Sequence, residues 1–237
     1  MTLMLGLITL LQGAREAVYC KTVAAKLLLA KTILLSNEQP IQLVISDAKS
    51  GMDFEQFKNF PNVHRGEDAP NAIYEAYKTF RKRQKEAENG AKYFNRLIVF
   101  IDEVASLFSM VTNKTEKERI MREFAMLAQL SRAYKISIVQ ATQQPSAQMY
   151  GSAGTGVREQ FSPLLIGAAG NETQGMLFDA DSREAIKAFG SIGGRSVGFF
   201  SLNGGLAKPV RVPRVNDFNK LHAAIRRGLE NSLSKDG

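Results

Sequence analysis

Leu97-Ile98-Val99-Phe100-Ile101-Asp102-Glu103 is an unbroken apolar run that stops on two adjacent carboxylates. A strand with one face in water alternates polar and apolar residues, whereas a strand covered on both faces is apolar throughout, so Leu97–Ile101 reads as a buried parallel strand. Working outward, runs of the same kind occur at Leu7–Leu11, Gln42–Ser46, Ile136–Ala141 and Leu164–Ala168. Helical patterns lie between them. Thr22–Leu35 is apolar on most faces. Asp68–Glu88 has Asp68 as its cap, Pro70 in the first turn and Ile73, Tyr77 and Phe80 on one face. A further helix opens on Thr115-Glu116-Lys117-Glu118, the pattern of a capping box, and carries Ile120, Phe124 and Leu127 inward. Strands alternating with helices predict an α/β fold: a mostly parallel, doubly wound sheet with helices on both faces.

The C-terminal part changes pattern. Ser196–Leu202 and Lys208–Val212 flank Asn203-Gly204-Gly205, which predicts an antiparallel β-hairpin. Asn216 or Asp217 then caps a last helix with Phe218, Leu221, Ile225 and Leu229 facing in. The glycine-rich stretch 151–156 reads as a loop.

With 237 residues, 44% hydrophobic and 23% charged, the chain has the balance of a globular protein and is expected to form one domain, 1–237. The apolar start, MTLMLGLITLLQGA, has no lysine or arginine ahead of it and is too short to cross a bilayer, so it reads as a strand rather than a targeting segment. One cysteine, Cys20, excludes an intrachain disulfide, and with only His64 and His222 it cannot make a soft-ligand zinc site. Lys plus Arg number 31 against 23 Asp plus Glu, a net charge of +8 that favours polyanionic partners.

Ligands of an open parallel sheet bind beyond the carboxyl ends of its strands. Asp102-Glu103, placed at such an end, has the Walker B pattern, in which the first acid holds magnesium and the second orients the attacking water; the same pair could instead cap the following helix. Gln143, in Ala141-Thr142-Gln143-Gln144-Pro145, stands where an amide can report a γ-phosphate, or simply where a polar turn begins. Strand Leu7–Leu11, then a loop, then Lys21-Thr22 and a helix is the topology of a phosphate-binding loop, with lysine on the phosphates and threonine on magnesium. The glycines of that motif are missing: Arg15 and Cys20 occupy their positions. The loop is degenerate, rebuilt or damaged.

In this order, the segments resemble the motor domain of the FtsK/SpoIIIE (HerA-type) DNA translocases, including those of conjugative elements. IQLVISDAKSGMDFEQFKNFPNV resembles the family's second strand and its Asp-Pro-Lys ending, with Ala48 in place of the proline. LIVFIDEVASL resembles its Walker B segment, and LAQLSRAYKISIVQATQQPS its Arg-Ala block and sensor strand, with Gln144 where arginine is usual. The resemblance implies a RecA-like P-loop NTPase core that binds ATP and Mg²⁺. Lys21 and Thr22 match the P-loop pair, Asp102 and Glu103 the Walker B acids, Gln143 the sensor and Arg132 a finger reaching a neighbour's nucleotide. It also implies double-stranded DNA as partner, a homo-oligomeric ring, hexameric by resemblance, and a cytoplasmic place, peripheral at the inner membrane through membrane-anchored partner proteins. The family's preceding domain, membrane anchor and winged helix have no counterpart here, so the chain is expected to be a motor core truncated on its N-terminal side.

Three readings follow: an ATP-driven DNA translocase; a catalytically impaired remnant or adaptor that keeps fold and oligomer face; or a misplaced start or frame error over 13–20. Lys78, Arg81, Lys82, Arg83, Lys85 and Lys92 form one basic stretch, and Arg211, Arg214, Arg226 and Arg227 another. Solvated helix faces account for both as readily as DNA contacts do. Cys20, His64 and His222 are read as structural.

Overall fold

A computed structural model describes residues 7–12, 18–36, 40–143, 145–167, 170–190 and 196–233, with the backbone alone at 7–12, 18–21, 148, 152, 153 and 155. In chain order the strands are β1 (Leu7–Gln12), β2 (Gln42–Asp47), β3 (Val63–Arg65), β4 (Leu97–Asp102), β5 (Ile136–Thr142), β6 (Phe161–Ile166), β7 (Val197–Phe200) and β8 (Lys208–Arg211). The α-helices are α1 (Val18–Leu35), α2 (Asn71–Glu88), α3 (Val104–Met110), α4 (Lys114–Leu130), α5 (Gly154–Arg158), α6 (Asn171–Leu177), α7 (Ala180–Phe189) and α8 (Phe218–Leu233).

These strands make one eight-stranded sheet in the order β3-β2-β4-β5-β1-β6-β7-β8. From β3 to β6 every pairing is parallel; β7 and β8 add an antiparallel edge. Because side chains alternate across a strand, each buried run serves two cores at once. Val44, Val99, Ile101 and Ile138 face one core with Phe80 of α2, Leu107 of α3 and Phe124 of α4. Leu43, Ile45, Ile98, Phe100 and Val139 face the other, with Leu29 and Ile33 of α1 and Ile225 and Leu229 of α8. The α/β architecture with helices on both faces is therefore as expected, and the hairpin lies outside the parallel part.

Local details differ from expectation. Asp68 does not cap α2: it ends a short 3₁₀ turn, Gly66–Asp68, and Pro70 holds the cap position. The cap of α4 is Asn113, whose side chain accepts the Glu116 N–H at 3.0 Å, so Thr115 lies inside the helix rather than at its boundary. Strand β6 starts at Phe161, ahead of the expected Leu164, and Ala168 lies outside the described residues. Asp217 caps α8 through the Lys220 N–H at 3.1 Å, while Phe218 is left exposed. The hairpin's Asn203 and Gly204 have φ of 52° and 72°, the left-handed geometry that suits Asn-Gly, but the connection over 201–207 is longer than a two-residue turn. At Gly198 a Cβ would stand 1.8 Å from the Leu165 carbonyl oxygen, so β7 can lie against β6 only with glycine there.

Edge strand β3 is tied to α2 by His64, whose ring nitrogens lie 2.6 Å from Asp68 Oδ2 and 2.9 Å from Glu75 Oε2. Burial pulls the His64 pKa down, but the hydrogen bonds to Glu75 and Asp68 outweigh it and leave the pKa above 6.5. A proton held more tightly in the folded state stabilises fully below the unfolded pKa, about 6.5, and this contribution is lost as pH rises through the folded value. The melting temperature of the protein is expected to fall across that window, and to fall less in His64→Gln. Parallel profiles for the two proteins would show that the imidazolium carries no such role.

Candidate active site

The carboxyl ends of β2, β4, β5 and β1 emerge at one edge of the sheet. The register pairs Asp47 with Asp102, Asp102 with Ala141, and Leu11 with Thr142. Asp102, Glu103, Thr142 and Gln143 thus occupy adjacent strand tips, and β1 brings the chain to that same edge before α1 begins.

Glu103 stands at the N-cap position of α3, yet its side chain makes no capping hydrogen bond. It turns to the neighbouring strand instead: Oε1 accepts from the Thr142 hydroxyl and from the Gln143 N–H, both at 3.2 Å, and Oε2 lies 3.3 Å from Lys49 Nζ. Its backbone is left-handed, with φ 60° and ψ 71°, a conformation that costs a non-glycine residue about 1–2 kcal/mol. The carboxylate is 4% exposed as a residue, so a strained, buried acid is held in one orientation at the strand tip. Asp102 beside it is also buried, and the Gln143 side chain is exposed.

Lys26, one helical turn beyond Thr22 on α1, supplies a buried positive charge. Its ammonium lies 3.8 Å from Asp53 Oδ1 and 5.1 Å from the centroid of the Phe54 ring. Burial lowers its pKa, and the negative charges of Asp53, Asp102 and Asp47 oppose that shift. Arg65 completes the network, its Nε donating to Asp47 Oδ2 at 3.0 Å and its guanidinium also engaging Glu55.

Helix α1 begins at Val18, not Thr22, so Cys20 and Lys21 lie within its first turn as backbone, and the Lys21 side chain is outside the described residues. Thr22 is buried at 3% exposure. Arg15, with the rest of 13–17, also lies outside them. Arg132 is not brought to this edge. It sits exposed in the 3₁₀ turn Ser131–Tyr134, at the amino end of β5, with a strand of roughly 20 Å between it and Gln143.

Among the described residues no group of three or more His, Cys, Asp or Glu side chains could cage a metal. The buried strand-tip carboxylate Asp102 is the kind of donor magnesium takes, since that ion needs one or two protein oxygens and fills its other positions from phosphates and water. Lys26 among Asp47, Asp53 and Asp102 marks the same region as one where the fold places positive charge against acids. The chemistry of Asp102 therefore fits a hard divalent cation such as Mg²⁺.

Lys49, Lys26 and Thr142 were not among the residues expected at the site. Lys49 follows the end of β2 by two residues, next to the strand that carries Asp102, so extending the strand-end rule to every strand would have found it. Lys26 is the middle one of three lysines, with Lys21 and Lys31, in an otherwise apolar helix, four residues after Thr22. Among the described residues no helix is long and apolar enough to cross a membrane.

No family model and no curated protein matches the sequence. Solved structures do match in fold. The conjugation coupling protein TcpA of pCW3, in its monomer form with ATPγS, is 20% identical with a TM-score of 0.64 over 87% of this chain and 60% of that one. ATPases 2 and 3 of EccC from Thermomonospora curvata, in complex with a signal sequence peptide, are 14% identical with a TM-score of 0.57, over 94% of this chain and 42% of that one. The cytoplasmic domain of EssC is 16% identical with a TM-score of 0.53, over 88% and 38%. This chain thus spans less than two thirds of each of those chains, and what it shares with them is the α/β fold alone.

Proposed function

We propose that this chain is a single-domain motor subunit of an ATP-dependent DNA translocase of the FtsK/SpoIIIE type. The observation that carries the reading is the buried pair Asp102-Glu103 at one strand tip, with Thr142 and Gln143 at the next and the carboxyl end of β1 at the same edge. Lys21 would meet the nucleotide's phosphates, and Thr22 and Asp102 would hold magnesium. When bound, that ion supplies neutralisation of charge on the β- and γ-phosphates. Glu103, fixed by Thr142 and the Gln143 N–H, orients a water molecule and takes its proton, while the Gln143 amide is free to turn toward the terminal phosphate. Arg132, on the far edge, can act only on a neighbouring subunit's nucleotide, which ties its role to a homo-oligomeric ring, with a hexamer as the size the resemblance suggests.

Double-stranded DNA as the cargo, membrane-anchored partners and a cytoplasmic position belong to the same proposal and are supported by the resemblance and by the +8 charge. The second reading, an adaptor without turnover, is favoured by one contact. Lys49 already pairs with Glu103, so the acid has a partner at each oxygen and must release Lys49 before both are available. Steady-state ATP hydrolysis separates the two. A motor gives a specific rate that rises with protein concentration and with added duplex; an adaptor gives no turnover under any of these conditions.

A further inference from the structure

A groove of about 1020 Å³ opens at the amino end of β2 and β4, the opposite edge from Asp102 and Glu103. One wall is α2, on which Lys78, Arg81, Lys82 and Lys85 follow at spacings of three and four residues and so share one helix face. All four are exposed. Among the described residues only Lys82 has a carboxylate partner, Glu86 at 4.0 Å, and Arg81 is engaged by the neutral Gln84. Of the two acids lining the groove, Glu75 is committed to His64 and Glu86 to Lys82. Lys92, beside the groove, and Arg132 and Lys135, at the amino end of β5, carry exposed positive charge along this edge.

The other wall is aromatic and rigidly supported. Arg83 is buried beneath the groove, donates to the Tyr134 carbonyl at 2.7 Å and to Gln42 Oε1 at 3.1 Å, and lies 5.6 Å from the centroid of the Phe94 ring. Phe94 in turn packs on Tyr134. The segment leading into β4 is thereby anchored, and it holds Tyr93 out at 86% exposure next to the basic face. Tyr74 lines the groove half-exposed, with Arg119 over its ring.

Unpaired cations along a helix suit a chain of phosphates, and an exposed ring on an anchored segment suits a flat aromatic partner. A duplex offers phosphates but keeps its base faces inside the stack, and an acidic peptide offers charge with no base to stack. A single strand offers both. We infer that this groove binds single-stranded nucleic acid, with phosphates along Lys78, Arg81, Lys82 and Lys85 and a base stacked on Tyr93. The site stands apart from the nucleotide edge and does not depend on ATP being bound there.

Fluorescence anisotropy with the full chain tests this, using labelled oligothymidylate of about 12 nucleotides, a blunt duplex of equal length and polyglutamate as probes. The single strand is expected to bind through the α2 face, more tightly than polyglutamate and with duplex binding insensitive to that face, log K falling against log salt at a slope of about −2 to −3, the value for three to four phosphate contacts. Tyr93→Ala should weaken single-strand binding about tenfold with the slope unchanged, and Tyr93→Phe should restore it. Joint reversal of Lys78, Arg81 and Lys85 to Glu should remove binding, whereas Arg226→Glu with Arg227→Glu should leave it intact. All of these residues are exposed, and an unchanged melting temperature confirms that each variant is folded. The inference is overturned if the chain binds no single strand, if polyglutamate binds as tightly, if duplex binding is lost as fully as single-strand binding on the α2 reversal, if Tyr93→Ala has no effect, or if the reversal on α8 weakens binding as much as the reversal on α2.

Discussion

Rebuilding Arg15–Thr22 as Gly-x-x-x-x-Gly-Lys-Thr is expected to raise ATP affinity by roughly 10- to 10³-fold. A phosphate nest needs backbone amides that converge, and a residue with a Cβ resists the positive φ that glycine allows at a cost of about 1–2 kcal/mol. Arg15 and Cys20 stand at both glycine positions of the motif. The course of α1 adds a second reason. Because the helix already begins at Val18, the amides nearest Lys21 are drawn into its first turn, and the free N–H groups of a helix end there belong to Val18 through Lys21. Glycine at position 20 costs the helix about 1 kcal/mol relative to alanine, which favours unwinding that turn into a loop ending at Lys21-Thr22. Titration of a labelled ATP analogue into both proteins measures the effect. Equal affinity for the original and rebuilt loops would remove Lys21 and Thr22 from the nucleotide site.

Glu103→Gln is expected to keep nucleotide binding and to lower the hydrolysis rate of the native or the rebuilt chain by about 10²- to 10⁴-fold. The substitution changes charge and not shape. The amide oxygen can still accept from the Thr142 hydroxyl and the Gln143 N–H, so the strand-to-helix junction keeps its anchor, while the ion pair to Lys49 is lost. A neutral amide cannot take a proton from water, so the loss falls on the chemical step. Single-turnover kinetics beside equilibrium binding distinguish the two, and an undiminished rate would reduce Glu103 to a structural residue.

Much of this arrangement is legible in the amino-acid sequence, for identifiable reasons. Leu97–Ile101 is apolar throughout because both faces of β4 are covered, and that one property points to its parallel pairing, its central place and the edge on which Asp102 falls. The antiparallel hairpin is equally plain from Asn203-Gly204. What escapes such a reading has a common cause: it depends on contacts between segments far apart in sequence. Strand β3 is only Val63–Arg65, too short for any periodicity, and is held by pairing to β2 and by His64. Asp68 has the chemistry of a cap, but His64 and Asn71 claim its carboxylate. Lys49 reaches Glu103 only because β2 and β4 are neighbours. The position of Arg132 is within reach of the sequence, since a residue just ahead of β5 must lie at the amino edge, away from Gln143.

Equilibrium binding of ATP to the native chain, by calorimetry with and without Mg²⁺ and beside Asp102→Asn, tests the nucleotide site at the carboxyl edge. Binding is expected to saturate, to strengthen with magnesium and to fall in Asp102→Asn to the magnesium-free level, because Asp102 is the strand-tip acid proposed to bind the ion. Absence of saturable binding, or binding that neither magnesium nor Asp102→Asn alters, would contradict the assignment of the carboxyl edge as the nucleotide site.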